Sequence, residues 1–343
     1  MGPLMGEPGR PRIAVFTLGG TIAMRATDRG GALPTLSAAD LLGAIPGLDS
    51  AGVDLTVRDV ANKPGASLSF DDMYSLAGDI TAALEGGCAG ALVVQGTDTI
   101  EETAYLLDLL VPSDAPVVVT GAMRNPSLAG ADGPANILAA IRVIGSDRAR
   151  GLGALVVLND QIHAARWVSK THTASPAAFT SPGYGPLGCV VEGRVDIPIR
   201  LRERSPMLRP VPGRTVRVGL MTIALGDDGV LIDAVSEHID GLIVAALGVG
   251  HVPADTVPIL ANIAAHMPVV LTSRIGAGPV HHQTYGFPGS ETDLLARGLI
   301  NAAYLAPVKA RLLLHLLIAS GADIARIRET FAAAGGAAQP EQP

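Results

Sequence analysis

Short runs of aliphatic and β-branched residues alternate along this chain with longer segments whose apolar positions recur at helical spacing. That is the sequence mark of a parallel sheet joined by crossover helices. Strands are predicted over 13–18, 55–60, 91–95, 117–120 and 154–158. Most are continuous apolar runs, as expected of strands covered on both faces. The helices between them carry start signals. Ser37 precedes a run ending near Ile45, and Ser69, with Asp72 three residues on, opens a segment running to Leu84. Thr99 with Glu102 reads as a capping box for a helix over 100–110, and Asp132 starts one reaching Ile144.

From 196 to 215 the periodicity is lost, and Pro198, Pro206, Pro210 and Pro212 stand among several arginines. This reads as an interdomain linker. Beyond it, strands over 216–224, 241–246 and 268–272 and helices over 254–266, 306–320 and 323–334 form a second series. The expected architecture is α/β: a larger N-terminal, mostly parallel sheet domain with crossover helices over 12–195, and a smaller C-terminal α/β domain over 216–335. The tail after Gly335 is expected to fray.

Composition narrows the function more than the fold. A chain of 343 residues has room for two cores. Although 48% of it is hydrophobic, no unbroken apolar stretch approaches the roughly 18 residues of a membrane span. The first dozen residues are Gly/Pro-rich and polar, without the apolar centre of a secretory signal, so the expected location is the cytoplasm. Cys88 and Cys189 stand far apart without metal-ligand spacing and are expected to be small buried residues. A net charge of −7, with no run of Lys or Arg, argues against a nucleic-acid surface. A small-molecule partner is expected, with no metal or cofactor.

Three segments could carry chemistry. Thr17-Leu18-Gly19-Gly20-Thr21-Ile22-Ala23 follows the first strand, where ligands of open parallel sheets bind. Its glycines would free backbone N–H groups to hold an oxyanion, with the Thr21 hydroxyl beside them; the plainer reading is a tight turn with Thr21 as a helix cap. It is not a dinucleotide fingerprint and no P-loop lysine follows. Gln95-Gly96-Thr97-Asp98-Thr99-Ile100-Glu101-Glu102 lies at another strand-to-helix junction. Capping accounts for Thr99 and Glu102 but not for Thr97 and Asp98, which put a hydroxyl beside a carboxylate. Trp167-Val168-Ser169-Lys170-Thr171-His172-Thr173 holds one of only three lysines, the others being Lys63 and Lys309. Unlike a guanidinium, an amine can give up its proton, and apolar neighbours would help it do so; a surface lysine is the plainer reading.

In order and separation these segments resemble the L-asparaginase/glutaminase family of two-domain bacterial enzymes. The likeness extends to Val119-Thr120-Gly121-Ala122-Met123-Arg124, to the Ser181–Gly188 stretch and to Lys309-Ala310-Arg311, covering about 12–335. The resemblance implies that Thr21 is a primary nucleophile and that Thr97, Asp98 and Lys170 form a second catalytic triad. It also implies attack on a side-chain carboxamide, release of ammonia and hydrolysis of an acyl-enzyme, in a homo-oligomer, dimer or tetramer, with sites shared between subunits. Which threonine attacks first stays open. Substrate-binding positions implied by the match are Gly20, Gly65, Ala66, Ser67, Gly96, Thr97, Asp98, Ala122 through its carbonyl, and Glu291.

The departures are specific. Leu18 and Gln95 stand where the family has Thr and His, and 24–36 lacks the family's loop tyrosine. Gly65-Ala66 replaces a Ser-Gln pair, leaving Ser67 as a shifted substitute. His251 replaces an Asn, and Glu291 is the candidate for the second-domain acid. Tyr285 or Glu291 of a neighbouring copy is expected to complete the site. Alternatives are an amidohydrolase of the same fold with a changed substrate, and a non-catalytic sensor of asparagine or aspartate.

Overall fold

The computed structural model describes residues 9–19, 24–26, 32–34, 42–43, 45–211 and 213–336. Ser37, Pro212 and the tail beyond Gly336 lie outside them. The chain divides into two compact units, with the boundary between Met207 and Leu208.

The first unit contains strands β1 (Arg12–Thr17), β2 (Met24–Ala26), β3 (Ala32–Pro34), β4 (Asp54–Asp59), β5 (Gly90–Val94), β6 (Val117–Thr120), β7 (Ala154–Leu158), β8 (Gln161–Ala164), β9 (Ser169–Lys170), β10 (Phe179–Thr180), β11 (Gly188–Val191) and β12 (Arg194–Asp196). Among the described residues its longer α-helices are α1 (Phe70–Glu85), α2 (Ile100–Leu110) and α3 (Gly133–Ile144). Eight strands form one sheet in the order β12-β11-β8-β7-β6-β5-β1-β4. From β4 to β7 all pairings are parallel; β8, β11 and β12 add an antiparallel edge. Strands β5, β6 and β7 are buried along their whole length, as their unbroken apolar runs require. The chain leaves β1 for β4 on one side and returns to β5 on the other, so the switch of direction falls between β1 and β5.

Helix α1 forms where the signals put it. The Ser69 hydroxyl accepts from the Asp72 N–H at 3.2 Å and the Asp72 carboxylate accepts from the Ser69 N–H at 2.9 Å. Met73, Leu76, Ala77 and Ile80 make its buried stripe, one face of a 3.6-residue period. The expected capping box at Thr99 and Glu102 does not form. A single 3₁₀ turn, Thr97–Thr99, precedes α2, and the Thr99 side chain makes no cap. Its hydroxyl is taken instead by the Gly65 carbonyl and the Gln95 amide. The segment predicted as one helix over 254–266 likewise begins as a 3₁₀ turn, Ala254–Thr256. Cys88 and Cys189 are only half-buried: Cys88 lies in the turn between α1 and β5, and Cys189 on β11, next to the edge strand β12.

Between β12 and β13 no strand or helix occurs among the described residues. The arginines here staple the chain to the first unit: Arg200 donates to the carbonyls of Arg148 and Arg150, and Arg204 to that of Ser113.

The second unit contains β13 (Val218–Thr222), β14 (Gly241–Ala246), β15 (Val269–Ser273) and β16 (Ile300–Asn301) in one fully parallel sheet, in that order. Its helices are α4 (Val230–Ser236), α5 (Val257–Ala264), α6 (Glu291–Ala296), α7 (Pro307–Ala319) and α8 (Ile324–Ala334). Leu242, Val244, Leu260, Leu271 and Leu294 centre its core. Among the described residues no helix is long and apolar enough to cross a membrane.

His163 on β8 is fully buried, with Nδ1 2.9 Å from the Ser181 hydroxyl. Burial pushes its pKa down to about 4. The folded imidazole stays neutral while the unfolded one, near 6.5, takes up a proton. This contribution to stability is therefore complete above pH 6.5 and is lost as pH falls toward 4, on the order of 3 kcal/mol. His163→Gln is expected to flatten the pH dependence of unfolding free energy in that window by about one proton. Urea unfolding of both proteins at several pH values measures it, and identical slopes would refute the assignment.

Candidate active site

Residues of the second and third motifs converge at the carboxyl end of the sheet. Thr97 and Asp98 lie in the 3₁₀ turn directly after β5, and Lys170 lies on the two-residue strand β9, paired with Phe179 of β10. Lys170 Nζ is 3.0 Å from Thr97 Oγ1 and 2.9 Å from Asp98 Oδ1. The hydroxyl is buried, whereas the Asp98 side chain is 70% exposed and that of Lys170 17%. The amine expected among apolar neighbours is thus met by a hydroxyl and a carboxylate. A strand as short as β9 cannot fix a side chain by itself, and Glu101, on the first turn of α2, accepts from the Lys170 backbone N–H at 3.3 Å.

The turn after β6 closes one side of the site. A Cβ on Gly121 would lie 2.5 Å from the Gln95 carbonyl and 3.4 Å from Thr97 Cγ2, so this turn and that of Thr97 touch. Ala122 is buried here. The Asp132 carboxylate accepts from the N–H groups of Met123 and Arg124 at 3.0 and 2.8 Å, and Asn136 Nδ2 donates to the Gly121 carbonyl at 2.9 Å. Asp132 stands at the start of α3 but makes no side-chain cap; its oxygens hold the neighbouring turn.

The Gly65–Ser67 turn closes another side. Gly65 is buried against Gly96 and Asp98, while Ala66 and Ser67 are exposed. Gly20 and Thr21 lie outside the described residues. The chain leading to them leaves β1 beside β5, with the Leu18 N–H donating to the Val94 carbonyl. Gly19, at φ +89°, would put a Cβ 2.9 Å from Asn62 Oδ1, so only glycine serves there. Thr17 donates to the Asp59 carboxylate across the β1–β4 pair.

Glu291 belongs to the second unit and is not the solvated loop residue that its sequence context suggests. It is the first residue of α6 and fully buried. Burial pushes its pKa up, but backbone N–H groups of Tyr285 and Thr284, both 2.8 Å from Oε1, outweigh this and hold it below the usual value. His251 Nε2 is 3.3 Å from Oε2, and the rings of Tyr285 and Phe287 stand edge-on to the imidazole at 4.9 and 5.0 Å. Among the described residues no group of three or more His, Cys, Asp or Glu is arranged to hold a metal ion. Sequence reasoning passed over Glu101 and Asn136, which act as holders; nothing local marks a glutamate that reaches 69 residues along the chain.

The fold and site together define an α/β protein with a threonine–aspartate–lysine constellation at a sheet switch point. Models of two families match: the N-terminal asparaginase domain over residues 12–202 and the C-terminal glutaminase/asparaginase domain over 217–331. The chain belongs to the asparaginase family. It is 37% identical over 325 residues to a probable L-asparaginase of Deinococcus radiodurans, covering 94% of this chain and 97% of that one. It is 34% identical to an L-asparaginase of Bacillus licheniformis, covering 90% and 96%. The crystal structure of a probable cytoplasmic L-asparaginase from Campylobacter jejuni superposes with a TM-score of 0.84 at 32% identity, covering 94% of this chain and 99% of that one.

Because Asp132 satisfies two turn N–H groups and a buried amide, Asp132→Ala is expected to destabilise the protein by about 2–3 kcal/mol, the usual cost of stranding donors of a charged acceptor. Urea unfolding reads this. A change under about 0.5 kcal/mol would mean that the turn holds itself.

Proposed function

We propose that the chain is an L-asparagine amidohydrolase, releasing L-aspartate and ammonia. The observation that carries the reading is the Lys170 amine lying within hydrogen-bond reach of both Thr97 Oγ1 and Asp98 Oδ1. A threonine hydroxyl is a weak nucleophile and requires a neighbouring group to take its proton. An amine poised between a hydroxyl and a carboxylate offers that route. In the proposed sequence a hydroxyl oxygen of Thr21 or Thr97 bonds to the carboxamide carbon. The C–N bond then breaks, and the nitrogen leaves as ammonia with the transferred proton. Water, deprotonated through the same relay, adds to the acyl ester, and the threonine oxygen regains its proton as aspartate departs. Backbone N–H groups at Gly20 and Gly96 are the proposed donors to the oxyanion, the Ala122 carbonyl the acceptor for the amide, and Asp98 the partner of the α-amino group.

A changed substrate is the second reading, favoured by one feature: the Gly65–Ala66 pair offers no side-chain donor for a carboxylate, leaving only Ser67 nearby. Ammonia release from L-asparagine, L-glutamine and D-asparagine separates the two. We place the protein in the cytoplasm, as its Campylobacter relative is named. We further propose a homo-oligomer, a dimer or tetramer, in which Tyr285 or Glu291 of a second copy completes the site.

Thr21→Ala, Thr97→Ala and Lys170→Met are each expected to lower kcat on the true substrate by at least about 100-fold, the scale of groups acting in the transition state. A coupled ammonia assay measures this, and losses below about 5-fold would remove that residue from the mechanism. For the shared site, Tyr285→Phe and Glu291→Gln are the paired tests, read by kcat/KM alongside size-exclusion mass. An oligomer whose kcat/KM is untouched by both would end that idea.

A further inference from the structure

Thr99 is a residue whose local role and actual role differ. At the entrance to α2 its hydroxyl would ordinarily cap the helix. Instead it donates to the Gly65 carbonyl at 3.2 Å, 34 residues away in sequence, and accepts from Gln95 Nε2 at 3.2 Å. The same Nε2 lies 3.3 Å from the Gly96 carbonyl. Gln95 is fully buried, and its Oε1 has no hydrogen-bond partner. Burying a primary amide with one end unsatisfied is costly, so its presence at the end of β5 needs a reason. What the amide accomplishes is one polar strut, from β5 through Thr99 to the Gly65–Ser67 turn. The two turns touch: a Cβ on Gly65 would lie 3.1 Å from Thr99 Oγ1 and 3.3 Å from the Gly96 carbonyl.

We infer that Gln95 and Thr99 are positioning residues that set substrate length, by fixing how far the exposed Ala66–Ser67 turn stands from the Thr97 hydroxyl. The inference rests on the amidohydrolase reading and deepens it. A substrate that presents its carboxamide at Thr97 and its other end to the Gly65–Ser67 turn must span a set distance. One methylene more or less displaces the carboxamide by about one C–C bond length, roughly 1.5 Å, and such misplacement costs orders of magnitude in rate. A turn held only by van der Waals contact could slide to accept either length. A turn whose carbonyl is bonded to a hydroxyl that is itself bonded to a buried amide cannot. Neither Gln95 nor Thr99 has any other part in the proposed bond-making steps.

The experiment compares the wild type with Thr99→Val, which keeps shape and loses the hydroxyl, Thr99→Ser, which keeps the hydroxyl, and Gln95→Met. Two ratios are read: kcat/KM for L-asparagine against L-glutamine by ammonia release, and Kd for L-aspartate against L-glutamate by calorimetry. Thr99→Val is expected to move both ratios toward unity by about 10-fold, within the range one methylene is worth in a fitted site. Gln95→Met should move them in the same direction by a smaller factor, and Thr99→Ser should restore them. A merely structural role would lower the melting temperature and scale both substrates alike, so unchanged ratios in folded variants overturn the inference. Should Thr99→Val not fold, Gln95→Met and Thr99→Ser decide by the same criterion. If the wild type releases no ammonia but the Kd ratio shifts as stated, the hydrolytic reading fails and the positioning role stands. If it turns over substrate and neither ratio shifts, the positioning role alone fails; if it neither binds nor turns over these ligands, both fall.

Discussion

Strands β1 and β5 lie side by side and parallel, yet the connections that follow them run to opposite sides of the sheet. No crossover can cover the gap between them, and a crevice opens at their carboxyl ends. The candidate site of the first unit depends on that constraint. The turn after β5 brings Thr97 and Asp98 to the crevice, the turn after β6 brings Ala122, and the chain after β1 enters it at Leu18 and Gly19. The buried strands beneath are ordinary core. They matter here because a sheet so thoroughly covered cannot shift register, and the turns start from fixed points.

Turns remain softer than strands, and the protein spends helix caps to stiffen them. Ser69 caps α1 in the usual way. Thr99 and Asp132 stand at the same position of their helices and do otherwise: one holds the Gly65 turn, the other the Met123–Arg124 turn. A lost cap weakens a helix end by about 1 kcal/mol. That cost is tolerable in helices already anchored by many buried side chains, and it converts a local interaction into a long-range one. Departures from local consistency of this kind gather where function requires geometry that packing alone does not impose.

The same contrast explains what was legible in the sequence. Unbroken apolar runs gave β5, β6 and β7 to within a residue, because burial on both faces is written directly in composition. The hydroxyl, carboxylate and amine of Thr97, Asp98 and Lys170 were legible as candidates because capping did not require the first two and arginine could have replaced the third. The short elements were not legible. Strands β9 and β10 are two residues each, with β9 held by a glutamate from α2, while α6 is capped by Ser290 and opens on Glu291, whose carboxylate collects the N–H groups of Thr284 and Tyr285. Thr99 departs from its cap signal for a related reason: that signal concerns neighbours three residues ahead, whereas its hydroxyl bonds back to Gln95, four residues before it, and across to the distant Gly65 carbonyl.

The distribution of basic residues follows the same division of labour. The irregular segment after β12 is fixed by guanidinium groups, whose planar forks suit pairs of carbonyls such as those of Arg148 and Arg150. The three lysines are used elsewhere. Lys63 meets both oxygens of Asp72 at 2.8 and 2.9 Å beside the Gly65 turn, and Lys309 is wholly buried in α7. Lys170 bridges a hydroxyl and a carboxylate. A compact ammonium fits between two oxygens converging from one turn, where a guanidinium would force them apart, and unlike a guanidinium it can exchange a proton with the hydroxyl it touches. The choice of lysine at position 170 therefore follows from the spacing of the Thr97–Asp98 turn as much as from the chemistry, and the spacing follows from the crevice between β1 and β5.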